Sequence, residues 1–158
     1  MPPRTQSRSV PAASVLLGVG LAAFFDGIVF HMLLEWHHMV SNVTPPVTLD
    51  AMHVNTFWDG VFHAGAWVAV VVGLALLLGA VERGERLPNA RAVWGRILLG
   101  AGAFNLVEGL VDHHLLRLHH VRDVPFPLPY DLTFLIAGGV LLMALGWGMA
   151  REEGRYGR

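Results

Sequence analysis

Residues 26–38 read DGIVFHMLLEWHH, and residues 108–120 read EGLVDHHLLRLHH. With a shift of 82, Asp26 falls on Glu108, Gly27 on Gly109, His31 on His113, Leu33-Leu34 on Leu115-Leu116 and His37-His38 on His119-His120. Each stretch closes a long apolar segment. A charge at the centre of a membrane helix costs roughly 2.5–3.5 kcal/mol even on the lower scales, so ionisable groups there are rare without a role. Two copies in register point to a function for these carboxylates and imidazoles.

The surroundings read as membrane. The chain has 158 residues, of which 54% are hydrophobic and 15% charged, and its mean hydropathy is +0.51; an ordinary soluble domain is less apolar. Four stretches, at 12–38, 57–81, 93–118 and 131–150, each supply the roughly 20 mostly apolar residues that a bilayer crossing needs. Pro45-Pro46, Pro88-Asn89 and the proline-rich run 125–129 separate them. The apolar run after Arg4 and Arg8 is too long for a signal peptide and continues into Asp26, so it reads as a retained first helix.

Every cationic side chain is arginine. Arg4 and Arg8 precede helix 1, Arg83, Arg86 and Arg91 lie between helices 2 and 3, and Arg151, Arg155 and Arg158 follow helix 4. Arg117 and Arg122 are the exceptions on the other side. The positive-inside rule then puts both termini in the cytoplasm and the histidine-rich ends outward. The duplication extends further: Trp58-Asp59-Gly60-Val61-Phe62 resembles Tyr130-Asp131-Leu132-Thr133-Phe134. The expected fold is a single all-α membrane domain over 1–158, a polytopic four-helix bundle. Two repeated helical hairpins, at about 12–81 and 93–150, would be related by pseudo-twofold symmetry. Gly65, Ala69 and Gly73 form a small-residue stripe that suits close helix packing.

Composition also narrows the chemistry. A formal net charge of −1 leaves no basic field for nucleic acid. The absence of cysteine removes disulfides, thiolate zinc sites, cysteine-held iron–sulfur clusters and covalent c-type haem. Histidine with Asp and Glu suits copper(II), zinc, iron or manganese. At about 1.5 Å per helical residue, His31, His63 and His113 share one depth beneath the outer interface, and Glu108 or Asp26 would complete or orient such a metal site. At about 100° per residue, His38 and Glu35 share the face of His31, and His120 shares that of His113. His38, His120, Asp59 and Asp131 form the expected outer layer, with Asp112 as a further ligand or partner. Asp59 and Asp131 read equally well as first-turn helix caps. His37 and His119 fall at the interface, and His53 in the outer loop.

Glu35 and His38 have the Glu-x-x-His spacing of di-iron bundles, but Arg117 replaces the glutamate in the second copy, which disfavours a symmetric di-iron site. Leu135 stands where the second repeat would match His63, which favours one asymmetric site. A b-type haem between His31 and His113 is a rival reading; the neighbouring carboxylates count against it. Three functions stay open: metal handling or delivery, with copper first; a metal-dependent membrane oxidoreductase or hydrolase; and a bis-histidine haem electron carrier. A complete ion channel is disfavoured, because Val15–Phe25 carries no polar track.

The strings FFDGIVFHMLLEWHHM, WDGVFH, FNLVEGLVDHHLLRLHHVRD and DLTFLIAGG resemble a bacterial family of predicted membrane proteins, domain of unknown function 2243, from about Gly18 to Gly148. The resemblance implies a four-helix inner-membrane protein. Members are sometimes fused to a CtaG-type cytochrome oxidase assembly domain, which implies copper or respiratory-oxidase biology, with an oxidase or its assembly factors as partners besides the lipid bilayer. It brings no ligand assignments. Glu35 stands where such proteins often have Gln. Homo-oligomer formation is left open.

Overall fold

A computed structural model describes residues 9–151. It is all-helical, with four helices. Helix α1 spans Ser9–Leu33 and α2 spans Leu49–Glu82. Helix α3 is α-helical over Ala90–Glu108 and continues as π-helix over Gly109–Leu115; α4 spans Leu128–Arg151. Arg4, Arg8, Arg155 and Arg158, on which part of the orientation argument rests, lie outside the described residues.

Three of these helices, α1, α2 and α4, are long and apolar enough to cross a membrane. Helix α1 packs against both α2 and α3, and α3 packs against α4. The centre of the fold is the crossing of α1 and α3. A Cβ at Gly18 would lie 2.0 Å from the Ile97 carbonyl oxygen, and one at Gly100 would lie 2.0 Å from that of Val15. Only glycine lets these two backbones meet. Gly73 of the expected stripe abuts Leu17 of α1, whereas Gly65 faces open space.

The interior is the reverse of a soluble core. The largest fully buried side chains include His31, His37, His113 and His119, while Phe25, Leu33, Trp67 and Leu78 are each more than half exposed. Small residues fill the rest of the helix contacts: Ala13, Ala22, Ala23, Ala66, Ala80 and Ala92 are buried. Exposed large apolar side chains on this scale fit a lipid surround and not water.

Several boundaries differ from the expectation. Helix α1 ends at Leu33 and not near 38, and α3 ends at Leu115 and not near 118. Helix α2 starts at Leu49 and not at 57, because Thr48 accepts a hydrogen bond from the Ala51 amide (3.2 Å) and caps it there. His53 consequently lies on α2, exposed, and not in a loop. Asp59 sits well inside α2, so it caps no first turn.

Candidate metal centre

Local backbone geometry brings the first ligand pairs together. The last seven residues of α1, Gly27–Leu33, and of α3, Gly109–Leu115, are π-helical. The Leu34 amide donates to the Val29 carbonyl (2.9 Å) and the Leu116 amide to that of Val111 (2.7 Å), five residues back in each case. In an α-helix, residues five apart diverge by about 140°; in a π-turn they stack on one face. Asp26 Oδ2 thus lies 3.1 Å from His31 Nε2, and Glu108 Oε1 lies 2.9 Å from His113 Nε2.

Each helix then stops at a left-handed residue, Glu35 at φ 48° and Arg117 at φ 53°. Glycine ordinarily takes this position, and another residue there costs about 1–2 kcal/mol. The reversal folds the following residues back under the helix end. The Trp36 amide donates to Phe30 O and the Leu118 amide to Asp112 O, both at 2.8 Å. His37 and His119 therefore return to the interior and do not run on to the interface.

The two returning segments hold each other. His37 Nδ1 donates to the Val121 carbonyl (2.8 Å), and His119 Nδ1 to the Met39 carbonyl (3.0 Å). The Asn42 amide donates to Leu118 O (2.9 Å) and the Asp123 amide to Trp36 O (2.8 Å). Buried Asn55 ties the first segment to α2 by donating to Thr44 O (2.7 Å) and Ala51 O (3.0 Å).

Two buried aspartates clamp the outer imidazoles. Asp59 accepts from His31 Nδ1 (2.8 Å), His38 Nδ1 (2.7 Å) and the Met39 amide (2.8 Å). Asp131 accepts from His120 Nδ1 (2.7 Å) and the Val121 amide (2.9 Å), and lies 3.6 Å from His113 Nδ1. Asp131 is in the first turn of α4, but its side chain caps none of that helix's own amides.

The product is a continuous row of four buried imidazoles. Ring centroids are 4.4 Å apart for His31 and His37, 4.5 Å for His37 and His119, and 4.8 Å for His119 and His113. Two sets of donors lie close enough to hold an ion: His31 with His37 and His119, and Glu108 with His113 and His119. Asp26 and Glu108 border the row on the side of the Nε2 atoms.

Of the short contacts that Asp26 and Glu108 make with these imidazoles, His119 Nε2 to Glu108 Oε1 (3.0 Å) is a hydrogen bond and the two to His31 and His113 are not. Asp26 Oδ2, His31 Nε2, His37 Nε2, Glu108 Oε2 and both ring nitrogens of His113 are buried with no hydrogen-bond partner among the described residues. The 3.1 Å and 2.9 Å pairs are thus close in distance and wrongly angled for donation. Lone pairs held near one another but not aimed at one another suit a cation between them. An imidazole whose Nδ1–H is fixed by a carboxylate or carbonyl presents Nε2 as a ligand, the usual arrangement of metal-bound histidine. In the returning segment, burial and the neighbouring His119 hold the His37 pKa well below the ordinary histidine value, so that ring is neutral and able to ligate.

The other expected residues fall around this row. His38 and His120 are partly exposed and bonded through Nδ1 to Asp59 and Asp131. Glu35 is exposed beside the row, and Asp112 is half-buried at the end of α3. His63 stands apart from both donor sets: its Nδ1 donates to Asp59 O (2.7 Å), and its ring fills the space against Gly27. Leu135 fills the corresponding space against Gly109. His37 and His119 are the members that helical periodicity misdirected, and their one visible signal was the matched His-His pair.

One cleft opens beside the row. With a volume of about 530 Å³, it reaches His37 past Glu35, His38, Met52 and Asp123. Beside it, Arg122 stacks over Trp36 (5.0 Å) and Tyr130 (5.2 Å) and donates to the Tyr130 hydroxyl (2.8 Å), closing that flank.

Comparison with family models matches residues 13–153 to the predicted membrane protein family DUF2243. Neither the curated proteins nor the solved structures provide a match. The match covers nearly the whole chain, and the chain belongs to that family.

Proposed function

We propose that this membrane protein crosses the inner membrane four times and binds a transition metal in the outer half of its helices, for metal handling, with copper first. The ligands are His31, His37, His113 and His119 with Asp26 and Glu108. One observation carries this reading: three of four buried imidazoles have Nδ1 bonded to a carboxylate or carbonyl, the fourth, His113, has Nδ1 3.6 Å from Asp131, and donor atoms beside two buried carboxylates have no protein partner. Burying so many polar atoms unsatisfied is costly unless something else satisfies them.

The span count rests on α3. That helix is less apolar than its neighbours, but it lies between α1 and α4 and meets α1 backbone to backbone at Gly18 and Gly100. A helix enclosed by two that cross the membrane crosses with them. The arginines between α2 and α3 favour an outward-facing site. Service to a respiratory oxidase or its assembly is the biology that fits an outward copper site. The cleft at His37 supports a second reading, a metal-dependent oxidoreductase or hydrolase. A bis-histidine haem fits less well, because the His37 and His119 rings fill the row between His31 and His113.

The test is elemental analysis with an absorption spectrum on protein purified without added metal. Stoichiometric copper, zinc or iron without a Soret band supports the proposal, as does its loss in the double variant His31→Ala/His113→Ala. A Soret band, or metal retained by that variant, overturns it.

A further inference from the structure

Resting on that metal reading, we infer that the cluster holds two ions side by side, each in one half of a pseudo-symmetric cage, and not a single ion. The first argument is ring orientation. His37 and His119 are stacked with their planes only 2° apart. Parallel stacked rings cannot aim lone pairs at one point about 2 Å from both nitrogens, the distance a metal–imidazole bond requires. The rings within each half are steeply inclined instead, 69° for His31 and His37 and 73° for His113 and His119. Inclined neighbours can share an ion. The set of His31, His37 and His119 therefore cannot serve one ion with both stacked rings, and each half offers one inclined histidine pair with a carboxylate beside it: His31 and His37, with Asp26 3.1 Å from His31, and His113 and His119, with Glu108 2.9 and 3.0 Å from them.

The second argument is equivalence. Carboxylate and first histidine are joined by a π-turn in both halves, and His37 and His119 are anchored reciprocally on Val121 and Met39, which are themselves matched at the spacing of 82. A single ion within one half would use matched donors unequally, and one midway between His37 and His119 is disfavoured by their parallel rings.

The third argument is charge. Asp26, Asp59, Glu108 and Asp131 are all buried. With the ligating imidazoles neutral and the carboxylates ionised, as metal ligation requires, two divalent ions balance four carboxylates and one balances half of them. Glu108 Oε1 already faces both His113 and His119 (2.9 and 3.0 Å), while its Oε2 is unpartnered, so its second oxygen is available to bridge. The ions are first-row divalent cations that accept nitrogen and oxygen, at the roughly 3.5–4 Å separation of two-metal sites. The Glu-x-x-His pattern at Glu35 is not needed, because Asp26 and Glu108 supply the carboxylates.

The experiment loads the full-length protein in detergent with copper(II) alone and reads metal content together with the electron paramagnetic resonance spectrum. Two ions per chain with a spin-coupled spectrum is the expected result. The half-site variant Asp26→Ala/His31→Ala should fall to one ion with an uncoupled signal, and Glu108→Ala/His113→Ala should do the same from the other half. Circular dichroism establishes that each variant is folded. One uncoupled ion per wild-type chain overturns the two-ion inference and leaves the metal reading standing. No bound copper in folded wild-type protein overturns the metal reading itself.

Discussion

Asp26 and His31 are five residues apart on one helix, yet the carboxylate Oδ2 and the imidazole Nε2 approach to 3.1 Å. A π-turn makes this possible, and the same turn recurs between Glu108 and His113. π-Turns cost helix stability and concentrate at functional sites. The two turns convert a sequence repeat into two matched carboxylate–imidazole pairs.

The returning histidines should matter more than the deeper one. His37→Ala and His119→Ala are expected to lower the metal content of purified protein, whereas His63→Ala leaves it unchanged. Elemental analysis of the three variants checks this. Metal loss in His63→Ala equal to that in His37→Ala would show that the row is misassigned.

In the proposed site Asp59 and Asp131 position the histidines and do not contact the ion. Asp59→Asn keeps the shape and weakens the hold on His31, His38 and the Met39 amide. Such outer partners typically contribute 10–100-fold in metal affinity. Chelator competition should therefore show about a 10–100-fold weaker affinity, with full occupancy still reached at saturating metal. An unchanged affinity would contradict the clamp.

The cleft mouth should govern rate. Glu35 and Asp123 line the opening onto His37, where negative charge steers cations. Glu35→Gln is expected to slow metal uptake at low salt by several-fold and to leave equilibrium affinity unchanged. Stopped-flow loading at two ionic strengths measures both effects; a salt-independent wild-type rate would argue for another entrance.

The helix crossing should be intolerant of a methyl group. Gly100→Ala puts a Cβ against the Val15 carbonyl, while Gly65→Ala meets nothing within 4 Å. Overpacking of this kind costs about 1–3 kcal/mol. Thermal unfolding in detergent should fall clearly for Gly100→Ala and hold for Gly65→Ala. Equal midpoints would mean that α1 and α3 do not meet at these glycines.

The sequence by itself determined the class. Apolar runs of bilayer length and the absence of cysteine made a helical membrane protein with imidazole and carboxylate as its chemistry, and the repeat marked the residues that carry it. These signals are compositional and survive any local change in helix geometry. Tertiary structure decided which histidines meet. Periodicity of 3.6 residues assumes an unbroken α-helix, and π-turns at Gly27 and Gly109 followed by reversals at Glu35 and Arg117 break that assumption at the ligands. His37 and His119 were thereby turned inward beside His31 and His113, and His63 was left packed against Gly27. Asp59 gained its clamping role because Thr48 starts α2 early and carries Asp59 into the helix. No local pattern encodes the meeting of His37 and His119, since the carbonyls that anchor them lie 84 and 80 residues away.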